Sequence, residues 1–272
     1  MRKPNSRYPW VLAVLVVLQP LLLTVAAGAE SGGSSVQIES ARPNAAIPVF
    51  LRAADGAKAT LVLLPGGQGG IGRIGSDGWP DGGNFLVRSA PLFAASGFNL
   101  AIMARPSDME TMDYDFRISK AHIDDIRRTV VQVRQKFHAP VWLVGTSRGT
   151  VSAVAAMIAM RDEGLIDGIV LTSSVTNLKK RPGAVPTQDL DRITVPVLVL
   201  HHENDACDVC RPSEVGNILR GLKNAPIKKL VMVNGGSGAE GNPCEGTHYH
   251  GYIGMEKEAV AVIADWIRRP GN

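Results

Sequence analysis

The hydrophobic residues of this chain follow two alternating patterns, which predict strands followed by helices. Short apolar runs rich in β-branched residues predict buried strands, at residues 59–64, 99–104, 141–144, 166–171, 195–200 and 229–233. Longer segments with helical composition or with apolar residues at steps of three or four predict helices, at residues 84–96, 119–137, 150–160, 213–222 and 256–267.

The order of these segments predicts one α/β domain over residues 49–272. Repeated strand–helix units, with strands that are apolar throughout, are typical of a mostly parallel sheet covered by helices on both faces. The preceding residues 30–48 are rich in Gly, Ser, Pro and Ala, a composition that predicts a flexible lead-in.

Residues 1–29 have the pattern of a secretory signal peptide. Basic residues in 1–10 precede an apolar run over 11–27, and Ala27-Gly28-Ala29 forms an A-x-A cleavage site. A retained membrane anchor is the alternative, although Gln19-Pro20 interrupts the apolar run. We therefore expect an exported protein, periplasmic or secreted, with no stable membrane anchor after cleavage.

The net charge argues against a nucleic-acid partner. The chain has 29 Lys and Arg against 25 Asp and Glu, and three of the basic residues lie in the predicted signal peptide. The remaining 26 basic and 25 acidic residues give a net charge of +1. Because no basic run with interleaved aromatic residues follows, we expect no nucleic-acid binding.

A candidate nucleophile lies between a predicted strand and a predicted helix. Gly145-Thr146-Ser147-Arg148-Gly149 is a G-x-S-x-G sequence, which places its serine on a sharp turn with the hydroxyl exposed. The carboxyl ends of parallel strands are where catalytic groups collect. The pattern therefore predicts Ser147 as a nucleophile that a neighbouring base activates.

The segment after the next core strands supplies a candidate acid and a family resemblance. His201-His202-Glu203-Asn204-Asp205 follows an apolar strand and resembles the His-Gly-x-x-Asp segment common in the α/β-hydrolase superfamily. The resemblance implies an α/β-hydrolase fold and makes Asp205 the triad acid, with Glu203 as its substitute. His202 stands where the family usually has glycine.

The last loop before the final helix offers two candidate bases, His248 and His250. His250-Gly251-Tyr252 matches the His-Gly-Phe/Tyr step of small, cap-less esterases similar to dienelactone hydrolase, exported bacterial type. The resemblance implies His250 as the base and His248 as the alternative. The chain order of serine, acid and histidine is the one expected for this fold.

An oxyanion hole needs two backbone N–H groups near the nucleophile. Arg148 supplies the first, and Gly67 or Gln68, after the strand at 59–64, supplies the second. Gly67-x-Gly69-x-x-Gly72 also has the form of a dinucleotide-binding fingerprint. Helix-breaking residues follow where that motif requires a helix, so we expect no nucleotide, and the proposed chemistry requires no cofactor.

Three cysteines allow either a disulfide or a metal site. Cys207, Cys210, Cys244 and His248 have a spacing that zinc sites use. In an exported protein a disulfide is the preferred use. We expect a Cys207–Cys244 bridge and no metal, with Cys210 free, although Cys210 could replace Cys207.

Together these features predict a serine hydrolase that cleaves a carboxylic ester through an acyl-enzyme. Only residues 172–191 are available for a cap, which favours an open site and a small or extended ester. Arg148 either selects anionic acyl groups or forms an outward-facing salt bridge. The alternatives are a peptidase, thioesterase or amidase on the same fold, and a non-enzymatic exported binding protein on a hydrolase scaffold.

Overall fold

The computed structural model describes residues 1, 32–177, 179 and 183–271 of the chain. The signal peptide predicted at residues 1–29 therefore lies, apart from its first residue, outside the described residues. Within the described part of the chain, no helix combines the length and the apolar character needed to cross a membrane.

An eight-stranded sheet forms the centre of the domain. Its strands, in chain order, are β1 (Ser34–Glu39), β2 (Ala46–Arg52), β3 (Thr60–Leu64), β4 (Asn99–Met103), β5 (Val141–Thr146), β6 (Gly168–Thr172), β7 (Val197–His202) and β8 (Lys228–Val233). They are arranged in space as β1-β2-β4-β3-β5-β6-β7-β8. Only the β1–β2 and β2–β4 pairs are antiparallel, which confirms the predicted, mostly parallel sheet.

Seven α-helices connect and cover these strands in the described part of the chain. They are α1 (Phe85–Arg88), α2 (Ala90–Ala95), α3 (Tyr114–Arg117), α4 (Lys120–Phe137), α5 (Arg148–Met160), α6 (Gly216–Gly221) and α7 (Glu256–Arg268). Helices α4, α5 and α6 pack on one apolar core, and α1, α2 and α7 pack on a second. The sheet is therefore covered on both faces, as the apolar strands predicted.

The prediction of a flexible lead-in at residues 30–48 is wrong. β1 and the first three residues of β2 lie in this region and form an antiparallel hairpin, and β2 adds the pair to the edge of the sheet beside β4. Ile38 and Ile47 face each other across the hairpin and are buried. The Gly- and Ser-rich composition concealed alternating apolar positions, which gain their burial only from contact with the rest of the sheet.

The helix predicted at residues 84–96 is two short helices. Asn84 caps α1 through its side chain, which accepts a hydrogen bond from the N–H of Leu86. Ser89 ends α1 and begins α2, and Pro91 stands in the first turn of α2. Since proline has no N–H to continue the earlier helix and is tolerated only in a first turn, the chain restarts there.

Candidate active site

Ser147 lies at the turn between β5 and α5, in a backbone conformation that few side chains adopt. Its φ is 51° and its ψ is −126°, a region that stores strain in any residue except glycine. Its N–H donates to the carbonyl oxygen of Thr172 at 3.0 Å, which ties the turn to the end of β6. This backbone conformation directs the Ser147 side chain out of the strand–helix junction.

The glycines around Ser147 are required by close backbone contacts. A Cβ on Gly145 would lie 2.5 Å from the carbonyl oxygen of Gly149, and one on Gly149 would lie 1.9 Å from that of Leu64. A Cβ on Gly66 would lie 2.8 Å from the Cβ of Ser147. The turn and the loop after β3 therefore meet at a distance that only glycine permits.

Asp205 and His250 are brought together from loops 45 residues apart in the sequence. The Nδ1 of His250 lies 2.8 Å from the Oδ2 of Asp205, and both side chains are buried. Burial by itself would raise the pKa of Asp205. Hydrogen bonds from His201 and His250, together with the charges of these groups, outweigh burial and lower that pKa to about 2.

The alternative acid and the alternative base both lie apart from this pair. Glu203 is exposed and accepts a hydrogen bond from the side chain of Asn234. His248 packs edge-to-face against Tyr249 and makes no ion pair with Asp205. His202, at the usual glycine position, stacks on Tyr249 and pairs through Nε2 with the carbonyl oxygen of Gly235.

Ser147 and His250 border one cavity of about 190 Å³, together with Gly67 and Gln68. The Nε2 of His250 is buried and has no hydrogen-bond partner in the described part of the chain. No hydrogen bond therefore links Ser147 to His250 among the described residues, although both border the cavity. Catalytic hydrogen bonds of this kind often tighten only when substrate is bound.

Two further residues, His201 and Ser173, hold His250 and Asp205 in place through hydrogen bonds. The Nε2 of His201 lies 3.3 Å from the Oδ2 of Asp205 and 2.9 Å from the carbonyl oxygen of Cys210. The hydroxyl of Ser173 donates to the carbonyl oxygen of His250 at 2.7 Å. His201 is the first residue of the acid segment that the sequence pattern identifies, whereas no motif contains Ser173.

The cysteines form a disulfide beside the site. Cys207 and Cys244 are bonded, and Cys210 is a buried free thiol. Atoms of Cys207, Cys210 and His250 lie within 4.8 Å of one another, but Cys207 is committed to the disulfide. Burial raises the pKa of Cys210 well above its usual value, which keeps the thiol protonated and a poor metal ligand.

Arg148 follows Ser147 and begins α5. Its guanidinium lies over the ring of Tyr114, 4.8 Å from the ring centroid, and it forms no salt bridge with a described residue. The outward salt bridge considered for Arg148 is therefore replaced by a cation–π contact. Its backbone N–H has no partner among the described residues and stands at the amino end of α5, beside Ser147.

No protein-family model and no curated protein sequence matches this chain. Solved structures do resemble it: an α/β serine hydrolase without lid from Xanthomonas campestris has 14% identity and a TM-score of 0.60 over 89% of this chain and 97% of that one. An esterase from Pyrococcus furiosus has 12% identity and a TM-score of 0.64 over 89% of this chain and 91% of that one.

A dienelactone hydrolase from Anabaena variabilis is similar as well, with 13% identity and a TM-score of 0.57 over 87% of this chain and 96% of that one. Between β6 and β7 the described residues form only two short 3-10 helices, Val185–Thr187 and Leu190–Arg192. The strand order, the helices on both faces of the sheet and the similarity to these solved structures all indicate the same fold. The chain therefore has the α/β-hydrolase fold, and its described residues form no lid between β6 and β7.

Proposed function

We propose that this protein is a serine hydrolase that cleaves a carboxylic ester, with Ser147 as nucleophile, His250 as base and Asp205 as the orienting acid. The observation that carries the proposal is the buried 2.8 Å contact between His250 and Asp205, beside a strained serine on the same cavity. A buried pair of this kind is how hydrolases orient a catalytic imidazole.

The contact with Asp205 determines which ring nitrogen of neutral His250 carries the proton. A carboxylate only accepts hydrogen bonds, so Nδ1 carries the proton and Nε2 keeps its lone pair. Nε2 has no other partner among the described residues. The Ser147 side chain borders the same cavity, and in the proposed reaction its hydroxyl donates to this nitrogen, which then acts as the general base.

The reaction proceeds through an acyl-enzyme. The oxygen of Ser147 attacks the ester carbonyl while its proton passes to Nε2 of His250, and the carbonyl oxygen becomes an oxyanion. The N–H groups of Arg148 and of Gly67 or Gln68 receive that charge. The tetrahedral intermediate then expels the alcohol, which takes the proton from His250.

Water completes the cycle. His250 removes a proton from a water molecule, the hydroxide adds to the acyl carbon, and the bond to Ser147 breaks as the serine oxygen regains the proton. Asp205 stabilises the imidazolium that forms in both halves of the reaction. Its low pKa keeps it ionised throughout the neutral range.

The size of the site favours a small or extended ester. The cavity of about 190 Å³ is smaller than those that enclose a drug-sized ligand. The short described segments between β6 and β7 leave it uncovered, so a longer alcohol or acyl group can extend into solvent. A small-molecule ester is therefore the partner we propose.

Fluorophosphonate labelling of the purified protein tests the nucleophile, with p-nitrophenyl acetate turnover measured alongside. We expect one label, mapped by mass spectrometry to Ser147 and absent from Ser147→Ala. His250→Ala should lose labelling and turnover, whereas His248→Ala, the matched control from the same loop, should keep both. A panel of ester, thioester, amide and peptide donors then identifies the acyl chemistry.

Absence of both label and turnover in the folded, oxidised protein would overturn the proposal. A non-enzymatic binding protein on a hydrolase scaffold would then be the better explanation. Loss of labelling in His248→Ala, with His250→Ala active, would instead exchange the roles of the two histidines.

We also propose that the protein is exported, periplasmic or secreted. The signal pattern in residues 1–29 and the Cys207–Cys244 disulfide support this location, because structural disulfides persist in oxidising compartments. Expression with the native leader and N-terminal sequencing of the mature protein test it. A mature chain that begins at Glu30 is expected, and an uncleaved cytoplasmic chain would contradict export.

A further inference from the structure

A buried arginine, Arg117, lies behind the proposed oxyanion hole. Arg117, the last residue of α3, is 0% exposed, and no salt bridge between described residues includes it. A buried charge without a counter-ion lowers the stability of a fold unless hydrogen bonds compensate. The hydrogen bonds of Arg117 must therefore compensate for its burial.

Two of those hydrogen bonds hold the loop after β3. Nη2 of Arg117 donates to the carbonyl oxygens of Pro65 and Gly67, each at 3.2 Å. The N–H of Gly69 closes the same loop by donating to the carbonyl oxygen of Gly66 at 3.0 Å. One guanidinium thus fixes the orientation of the Pro65–Gly66 and Gly67–Gln68 peptide groups.

This orientation decides which amide faces the nucleophile. In a planar trans peptide the C=O and the N–H point in opposite directions. Because the carbonyl oxygen of Gly67 accepts from Arg117, the N–H of Gln68 points away from Arg117, and both Gly67 and Gln68 line the cavity. Among the described residues neither the Gln68 N–H nor the Gly67 N–H has a partner, but the carbonyl of the Gly66–Gly67 peptide accepts from Gly69 and not from Arg117. The Gln68 N–H is therefore the available amide that Arg117 orients.

The guanidinium is itself held in place from α5 and α4. Nη1 of Arg117 donates to the hydroxyl of Ser152 at 3.1 Å, and that hydroxyl lies 2.9 Å from Nε2 of His122. Because the hydroxyl accepts from Arg117 and has one proton to give, it donates to His122. Burial, followed by the charge of Arg117, lowers the pKa of His122 to about 3, so the imidazole is neutral and can accept.

Arg117 remains a cation where the enzyme works. Burial, together with the nearby Arg148, lowers its pKa to about 9, which is still above neutral pH. A positive charge behind the donor amides, in a region from which water is excluded, stabilises negative charge that develops in front of them.

We propose that Arg117 is a positioning residue for the oxyanion hole, which selects the Gln68 N–H as its second donor and adds a buried positive charge behind it. This inference rests on the proposed hydrolase function, since the residue acts on the oxyanion of that reaction. It assigns a role to a side chain that does not touch substrate and that lies 30 residues from the nucleophile in the sequence.

Steady-state kinetics of Arg117→Met, Arg117→Lys and a control test the inference. Removal of an oxyanion-hole donor lowers kcat by roughly 100- to 1000-fold, so Arg117→Met should lower kcat by about 100-fold, with KM within about threefold of wild type. Arg117→Lys keeps the charge and should recover about tenfold. Arg134→Met is the matched control, because Arg134 pairs with Asp167 away from the site, and it should match wild type.

A boronic acid provides a second readout, because its adduct with Ser147 places an oxygen in the oxyanion hole. Its inhibition constant should weaken in parallel with the loss of kcat in the Arg117 variants, while inhibition by a product carboxylic acid stays the same. A merely structural role would lower the melting temperature without this parallel. A folded Arg117→Met with wild-type kcat, or with a change in KM alone, would overturn the inference.

If Arg117→Met does not fold, Arg117→Lys decides alone: a lower kcat at unchanged KM supports the role, and wild-type kcat rejects it. Failure of the underlying function has a different result. Wild-type protein that neither accepts the fluorophosphonate label nor turns over any acyl donor would reject the hydrolase itself, whatever the Arg117 variants do.

Discussion

Cys207 and Cys244 join the loop that carries Asp205 to the loop that leads to His250, with their Cα atoms 4.6 Å apart. The N–H of Cys207 also donates to the Oδ1 of Asp205 at 2.9 Å. The same residue therefore orients the carboxylate through its backbone and holds the base loop through its side chain. Since Asp205 and His250 are contributed by separate loops, this cross-link fixes their spacing.

Removal of the disulfide should lower both stability and activity. Its two cysteines are 37 residues apart in sequence, for which loop entropy gives roughly 3 to 4 kcal/mol of stabilisation. Urea unfolding of Cys207→Ala/Cys244→Ala should show a loss of that size, with reduced kcat. A phosphine reductant should destabilise the wild type by a similar amount and leave the stability of the double variant unchanged. Wild-type protein whose stability does not change with the reductant would contradict the prediction.

Asp205→Asn should abolish most of the activity while preserving the fold. An amide can present its N–H₂ to Nδ1 of His250, which moves the imidazole proton to Nε2 and removes the base. We expect kcat to fall by about ten-thousandfold. Glu203→Gln is the matched control because its carboxylate is exposed and apart from the pair. A larger loss in Glu203→Gln than in Asp205→Asn would reassign the acid.

Gly149→Ala should be strongly destabilising. The added Cβ would lie 1.9 Å from the carbonyl oxygen of Leu64, so β3 and α5 must separate, at a cost of about 3 kcal/mol or more. Gly216→Ala, near the start of α6, meets no atom closer than 3.5 Å and should be neutral or stabilising by up to about 1 kcal/mol. Thermal unfolding and fluorophosphonate labelling measure both, and equal stability of the two variants would refute the steric explanation.

His122 should make the folded state sensitive to mild acid. Its pKa is about 3 in the folded protein, whereas an unfolded histidine titrates near 6.5. Between these values the unfolded chain binds a proton that the folded chain does not, so stability falls as pH falls, by up to about 1.4 kcal/mol per pH unit. Urea unfolding at pH 7 and pH 4.5 measures the slope.

His122→Gln should flatten that slope, because it removes the titrating group. His138→Asn, a change of an exposed histidine at the end of α4, should retain the wild-type slope. An identical slope in wild type and His122→Gln would show that His122 does not contribute.

The positions of most strands and of the long helices followed from local patterns. Strands β3 to β7 are apolar on both faces because helices cover both, and such runs are readable one segment at a time. The hairpin β1–β2 could not be predicted in this way, since its apolar residues are few and are buried only through pairing with a distant strand. Proline in the first turn of α2 divided a helix whose composition suggested one continuous segment.

At the site, the sequence by itself determined the candidates: a serine between glycines, an acid after β7 and two histidines before α7. Motif spacing suffices for these because the turn and the strand ends are local structures. The choice of His250 over His248 agrees with the contact to Asp205, a contact between loops that spacing alone cannot reveal.

Only the tertiary structure decided which groups surround those candidates. His201 shares Asp205 with His250, Cys210 lies beside His250, and Arg117 holds the carbonyl oxygens of Pro65 and Gly67 from about 50 residues away. His201 and Asp205 share the short acid segment, but neither Cys210 nor Arg117 belongs to a periodic pattern or a short motif with its partner. Their burial and hydrogen bonds exist only after the sheet has closed and excluded water, which is why the sequence could not predict them.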